Sequence, residues 1–421
     1  MFCSLFLLIA VGMPIGYAIA ASTILTFLST GAVSLSLVSQ NAFTGLDSFV
    51  LLAIPFFILA GILMSKGGVA RRLVDVADSM IGFVSGGLGM VSILTGTLFS
   101  AISGSGAATT SAVGSLMLPE MKKRGYGEAF SASLVASTGS FGVVLPPSIA
   151  LVIYGVTVGA SIGDLFLAGI PGGLMMVAAL MIACYIISRK HGWKGSDTRP
   201  SLLNIARKMK DGIWALIAPF IILGGIYSGL FTPTESAVVA VVYSILVGAF
   251  IYKELDFKKI KDAFYEAAVI NGVIVFIIGF SAAMARYLAL QNVPQQVTGA
   301  ILSITDNPIM ILLIINIFLL VLGMVIDNIP AIIILSPILL PVVQSAGVNE
   351  IQFGVIIVLN LALGFITPPY GTTIFVAAAI ANISVERLFK YGLIFAAVMF
   401  IPLMLVTYFP IFTRGFLALF G

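Results

Sequence analysis

The chain has 421 residues, 60% of them hydrophobic and only 9% charged, with a mean hydropathy of +1.16. Ordinary soluble domains are about 25% charged, so a water-soluble globule is excluded. Long, continuous apolar runs likewise exclude a transmembrane β-barrel, whose strands alternate. The formal charge of +4 comes from loop lysines and arginines and reads as an orientation signal, not a nucleic-acid surface.

A helix that spans hydrocarbon needs about 20 apolar residues, which leaves room for roughly ten segments in an all-α polytopic membrane protein. The opening "MFCSLFLLIAVGMPIGYAIAAS" lacks a basic start, and its apolar run continues to Leu28. It therefore reads as a first span over 5–28 rather than a cleaved signal. A second span covers 48–64. Next comes an apolar stretch over 88–121 with a polar break, "SGSG", at Ser103–Gly106. A span over 127–160 is interrupted by Pro146 and Pro147, one over 163–188 follows, and an extra helix covers 212–229. The second half then offers spans over 233–252 and 263–285, and an apolar stretch over 308–344 broken at Asp327–Asn328. A span over 351–381, interrupted by Pro368 and Pro369, and a last one over 388–412 complete the chain. "ARRLVDVADS" and "KELDFKKIKDAF" read as amphipathic helices lying on the membrane face. Cys3 and Cys184 fall in apolar segments and read as buried thiols without metal spacing.

The order of parts repeats. Adding 222 to Leu118, Pro119, Gly125, Gly142, Pro146 and Pro147 gives Leu340, Pro341, Gly347, Gly364, Pro368 and Pro369. Six identities in one register, mostly proline and glycine, indicate a duplicated unit. The broken apolar stretches are roughly 35 residues each, too long for one span and too short for two. They read as re-entrant hairpins with the polar break at the tip.

Charge placement gives the orientation. With the hairpins contributing no net crossing, 19 of the 21 Lys and Arg fall on one side, which the positive-inside rule makes cytoplasmic. Only Arg286 and Arg414 fall outside that set. The N-terminus is then cytoplasmic and the C-terminus periplasmic. The second unit is inverted relative to the first, the architecture of secondary transporters whose sites lie near the midplane. The chain divides into scaffold helices and arm over 1–87, a first transport part over 88–160, scaffold, connecting helix and arm over 161–307, a second transport part over 308–381, and a final helix over 382–421.

Irregular backbone at membrane depth is tolerated only where protein or a polar cavity surrounds it. A Pro-Pro in mid-span removes two N–H donors and leaves carbonyls one turn earlier unpaired. Sodium, a hard cation, suits such oxygens. One expected sodium site joins Ser103 and Ser105 to Gly139, Gly142 and Val144; the other joins Asp327 and Asn328 to Gly364, Thr367 and Thr372. The co-transported substrate is expected between them, near Thr109, Ser148, Asn328 and Pro330. Asp327 is a central aspartate, costly to insert, for which pairing with Arg286 is the structural alternative. Arg286 itself lies near a helix end and reads as snorkelling. Glu235, in "FTPTESA", sits where a span begins and reads as interfacial.

The segments "SGSGAATTSAVGSLMLPEMKKRGY", "FGVVLPPS", "GIYSGLFTPTESA" and "GFITPPYGTT" resemble the large membrane subunit of the tripartite ATP-independent periplasmic (TRAP) transporters, of the DctM/SiaM-like kind. The resemblance covers both repeats. It implies an elevator-type sodium symporter of a bacterial inner membrane that imports small organic acids such as sialic acid or C4-dicarboxylates. It also implies two partners: a periplasmic substrate-binding protein and a small four-helix membrane subunit, expected here as a separate polypeptide. A stand-alone sodium/carboxylate symporter of similar fold is the nearest rival, and a channel would favour a continuous polar pore. An intramembrane enzyme is disfavoured. "SGSG" lacks the glycine of a G-x-S-G element, since Ala101 stands two residues before Ser103 and Ser103 two before Ser105, and a serine nucleophile needs a base. The sole histidine, His191, sits in the charged loop "SRKHGWKGSDTRP".

Overall fold

The computed structural model describes residues 1–30, 36–195, 201–369 and 371–420, and among these every regular element is helical. Among the described residues, six helices are long and apolar enough to cross a membrane, or seven if the bent pair Leu202–Asp211 and Ile213–Tyr227, which meet at 63°, counts as one. The other apolar segments are shorter because proline, glycine and capping residues divide them.

Two spans differ from the sequence reading. The first is not continuous: Phe2–Ala10 and Ile15–Thr30 are separated by Val11–Pro14. Pro14 cannot donate a helical hydrogen bond, and Gly12 adopts a φ of +90°. The expected span over 263–285 and the amphipathic helix before it are instead one helix, Phe257–Leu290, of 34 residues. Asp256 caps it by accepting the Lys259 N–H at 2.7 Å, so the basic stretch forms its first turns rather than a separate surface helix. The other amphipathic reading holds. Val69–Ile81 buries Val69, Ala70, Leu73, Val76 and Ala77 on one face and exposes Arg71 on another.

The repeat is visible in the backbone. The first hairpin consists of Gly87–Ser103 and Gly106–Lys123; the second, of Pro308–Gly323 and Asn328–Ser345. The first folds back on itself, since Ser92 on one arm donates to the Met121 sulfur on the other at 3.6 Å. The second arms begin and end 222 residues apart, as do the cis Pro146–Pro147 and Pro368–Pro369 bonds. Each broken span has a first half, Glu128–Gly139 or Glu350–Gly364, and a second half, Ile149–Val158 or Thr372–Ala381. The repeat also has a surface helix unforeseen in the second half: Val293–Ile304 stands where Val69–Ile81 stands in the first.

Packing between the repeats is reciprocal. Each first half packs on its own repeat's hairpin, and each second half packs on the second arm of the other repeat's hairpin. Ile162–His191 and Glu386–Tyr408 enclose this assembly, while Ala53–Lys66, Pro233–Leu246 and Phe257–Leu290 form a neighbouring layer.

Buried polar groups tie parts of the assembly together. Asn360 donates to the Asn316 backbone and side-chain oxygens at 3.0 and 2.9 Å, and Asn316 donates to Thr407 at 3.3 Å. Gln352 spans the Val406 and Thr407 carbonyls, both at 3.1 Å. These bonds join the second hairpin, its broken span and Glu386–Tyr408. Two small corrections complete the picture. Cys3 is exposed, whereas Cys184 is buried. His191 is the last residue of a helix, exposed and stacked on Trp193 at 4.8 Å. Arg199, counted above among the basic residues, lies outside the described residues.

Candidate functional site

The tip of the first hairpin is made by local sequence. Gly104 takes a φ of +62°, open to glycine but strained for a side chain, and turns the chain within two residues. Ser105 then caps the second arm by accepting the Ala108 N–H at 3.5 Å. The break therefore falls at Gly104–Ser105; Ser103 and Gly106 are already helical. Ser103 and Thr109 hydroxyls meet at 2.8 Å across the turn.

This tip is stitched to the first broken span. The Ile149 N–H reaches the Gly104 carbonyl at 3.4 Å. Gly142 lies so close beneath the tip that a Cβ there would collide with the Ser105 carbonyl, and one at Gly139 with the Thr110 hydroxyl. Ser103, Ser105, Gly139 and Gly142 are thus brought together. The Val144 carbonyl lies instead against Gly169 of the neighbouring helix, 3.3 Å from where its Cβ would be.

The second tip is longer, Met324–Asp327, with Asp327 as the capping residue and Asn328 the first of the helix. The Asp327 carboxylate accepts the Asn328 N–H at 2.9 Å. Gly364 packs directly on the Gly323 carbonyl. Thr367 donates to the Leu363 carbonyl at 2.6 Å, and the neighbouring Thr373 donates to the Phe365 carbonyl at 2.9 Å. The Thr372 hydroxyl is buried without a partner.

Both tips face one cavity of about 580 Å³. Ser103 through Ala108, Asp327, Asn328, Ile149 and Thr372 line one side; Ile58, Ile62 and the 266–277 face of Phe257–Leu290 line the other. Four helices open onto it, for Gly106, Asn328, Ile149 and Thr372 are each the first residue of a helix. Helix N-termini carry unpaired N–H groups and roughly half a positive charge each, an arrangement that accepts anions.

Of the expected substrate contacts, Asn328 lines the cavity; Thr109, Ser148 and Pro330 lie behind its wall. Ser148 caps Ile149–Val158, accepting the Leu151 N–H at 3.2 Å. Ser111 and Glu266, which the sequence reading missed, do line it. Glu266 and Asp327 are its charged lining residues, and Glu266 pairs with Lys66 at 3.0 Å. Arg286 is exposed, and no ion pair joins it to Asp327 among the described residues. Glu235 closes a capping box with Thr232, which explains its place at the start of a span. Among the described residues no group of three or more His, Cys, Asp or Glu converges. Any cation here would be held by carbonyls and hydroxyls, with Asp327 as the one carboxylate at a tip.

Two hairpin tips and two broken spans thus meet at one cavity, in one duplicated register. The family profile described as "Tripartite ATP-independent periplasmic transporter, DctM component" matches residues 2–412. The chain belongs to this family. It is a transporter permease component in a multi-pass membrane protein, not an enzyme. It is 42% identical over 404 residues to the isethionate TRAP transporter permease protein DctMQ of Oleidesulfovibrio alaskensis, covering 96% of this chain and 64% of that one. It is 37% identical over 390 residues to the C4-dicarboxylate TRAP transporter large permease protein DctM of Pseudomonas aeruginosa, covering 93% of this chain and 90% of that one. The chain thus spans under two thirds of the first relative and most of the second. In structure it resembles the Alcanivorax borkumensis YdaH transporter, with a TM-score of 0.61 over 88% of this chain and 89% of that one, at 12% identity. That likeness bears on the fold alone.

Proposed function

We propose that this chain is the moving and ion-binding component of an inner-membrane sodium symporter that imports a small organic acid. The substrate is handed over by a periplasmic binding protein, and a small four-helix membrane subunit buttresses the large one. The observation that carries the reading is the single cavity onto which four helix N-termini open. The relatives' names include isethionate and C4-dicarboxylate; a sulfonate or carboxylate is the kind of group such N–H clusters accept.

Two sodium ions are the co-transported cargo. One sits with Ser103, Ser105, Gly139 and Gly142, without Val144, whose carbonyl faces Gly169; the other sits with Asp327, Asn328, Gly364, Thr367 and Thr372. Close approach of Gly142 to the Ser105 carbonyl and the unpartnered Thr372 hydroxyl support this placement. The cavity's own side chains are acidic, so ions bound first supply positive potential that completes the anion site and couples the fluxes. The hairpins are re-entrant and move with the broken spans as one block against the scaffold layer, an elevator.

Reconstitution into liposomes tests this. Uptake of C4-dicarboxylate or isethionate is expected only with an inward sodium gradient and a cognate binding protein. Equal uptake without the binding protein would favour the stand-alone symporter. Uptake indifferent to replacing sodium by potassium would overturn the coupling.

A further inference from the structure

A second, smaller cavity of about 230 Å³ lies at the far end of the first hairpin from its tip, lined by Pro119, Lys122, Tyr126, Glu128, Ser131 and Ile380. Water occupies about 30 Å³ in the liquid, so this cavity has room for a small polyatomic ion with a few waters. Its floor is the start of Glu128–Gly139, whose capping position is Gly127, with no side chain to satisfy the first N–H groups. Ser131, one turn in, is 3% exposed, lines the cavity, and its hydroxyl has no partner. A buried hydroxyl left unpaired costs roughly 1–3 kcal/mol, so an occupant that accepts its proton is favoured.

The other repeat offers an internal comparison. There the equivalent helix, Glu350–Gly364, is capped by Asn349, which accepts the Gln352 N–H at 2.9 Å. Positions 122, 126 and 131 correspond to Gln344, Val348 and Phe353, so the cationic and hydroxyl groups occur in the first repeat alone.

We propose that this cavity binds a phosphate-class oxyanion, held by the uncapped N–H groups of Glu128–Gly139, the Ser131 hydroxyl and the Lys122 ammonium. Glu128 opposes it. Its carboxylate pairs with Lys122 at 2.7 Å and with Arg387 at 3.8 Å, leaving one net positive charge among the three side chains. An arriving oxyanion takes Lys122 while Glu128 stays with Arg387. Glu128 therefore sets the affinity low and makes it adjustable.

The test is thermal unfolding of the full chain in phosphatidylcholine nanodiscs, titrated with inorganic phosphate against chloride at constant ionic strength. A saturable rise in Tm is expected. Lys122→Gln weakens phosphate about tenfold, as loss of a charge-assisted hydrogen bond should, and Ser131→Ala, a change of one buried atom, weakens it as well. Glu128→Gln strengthens it. Nanodiscs containing phosphatidylglycerol separate two sources of the same chemistry. If a lipid headgroup is the occupant, the anionic lipid raises Tm and abolishes the further shift by phosphate; if free phosphate is, the shift is unchanged. No saturable shift in either lipid, or equal shifts in all three variants, would overturn the proposal.

Discussion

Ser105 and Asp327 occupy the same place in the two repeats. Each caps the second arm of its hairpin through its side-chain oxygen, Ser105 to the Ala108 N–H and Asp327 to the Asn328 N–H. A hydroxyl and a carboxylate thus do one structural job, but only the second brings a charge to the cavity.

That difference can be separated by substitution. Asp327→Asn keeps a capping oxygen and removes the charge; Asp327→Ala removes both, at a capping cost of about 1 kcal/mol. Both variants are expected to raise the sodium concentration needed for half-maximal uptake, and only Asp327→Ala to lower Tm appreciably. Full sodium dependence in both would remove the second ion site.

Gly142→Ala places a methyl group against the Ser105 carbonyl, and Gly364→Ala one against the Gly323 carbonyl. Overpacking of this kind typically costs 1–3 kcal/mol, and here it also pushes a hairpin away from its broken span. Both variants should lose transport with a clear drop in Tm. Gly272→Ala, which meets nothing within 4 Å, is the control and should gain slightly, by up to about 1 kcal/mol, as a helical Gly→Ala does.

Asn360→Leu removes both hydrogen bonds to Asn316. Interhelical bonds in membranes average about 0.6 kcal/mol, but Asn316 is then left with unpaired oxygen, so a loss of about 1–2 kcal/mol is expected. Thermal unfolding of purified protein in detergent measures it. An unchanged Tm would show that water substitutes readily there.

Asp78 lies on the amphipathic Val69–Ile81 helix, and burial pushes its carboxyl above the usual range, outweighing the attraction of Arg124. An acid whose folded pKa is raised holds its proton more tightly in the folded state. Stability is therefore lost as pH rises from the unfolded value, near 3.8, through the folded one. Asp78→Asn should remove that loss, so Tm climbs more from acid to neutral pH in the variant than in the parent chain. A smaller climb in the variant would contradict the sign.

Orientation is checked by labelling. Single cysteines replacing Lys258 and Ser345, in a background lacking Cys3 and Cys184, should react from opposite sides of the membrane. Reaction of both from the periplasm would contradict an inverted repeat.

What the sequence disclosed depended on how much backbone each residue dictates. Proline and glycine at 142, 146, 147, 364, 368 and 369 fix chain geometry themselves, so the repeat, the breaks and the two tips were readable. Apolar composition carries no such information. It could not tell that residues 5–28 break at Gly12 and Pro14, or that Phe257–Leu290 runs unbroken from a basic start. The cavity wall was half legible. Asp327 and Asn328 stand out as polar groups at hydrocarbon depth, whereas Ala107 and Ala108 bring only backbone N–H groups. Glu266 belongs to the scaffold layer, and nothing in its neighbouring residues points toward the tips. Thr109 and Ser148 were chosen for their hydroxyls, which turn out to be spent on Ser103 and on a helix cap.

Because each broken span completes its second half against the other repeat's hairpin, neither half of the gene encodes a self-sufficient body. A polypeptide ending in the connecting helix would present Ile149–Val158 and the Gly106–Lys123 arm without the surfaces that cover them. Two such fragments, produced together, should find each other and restore a working transporter, while either alone should aggregate or be degraded. The duplication that made this protein therefore acts as an obligate heterodimer written on one chain.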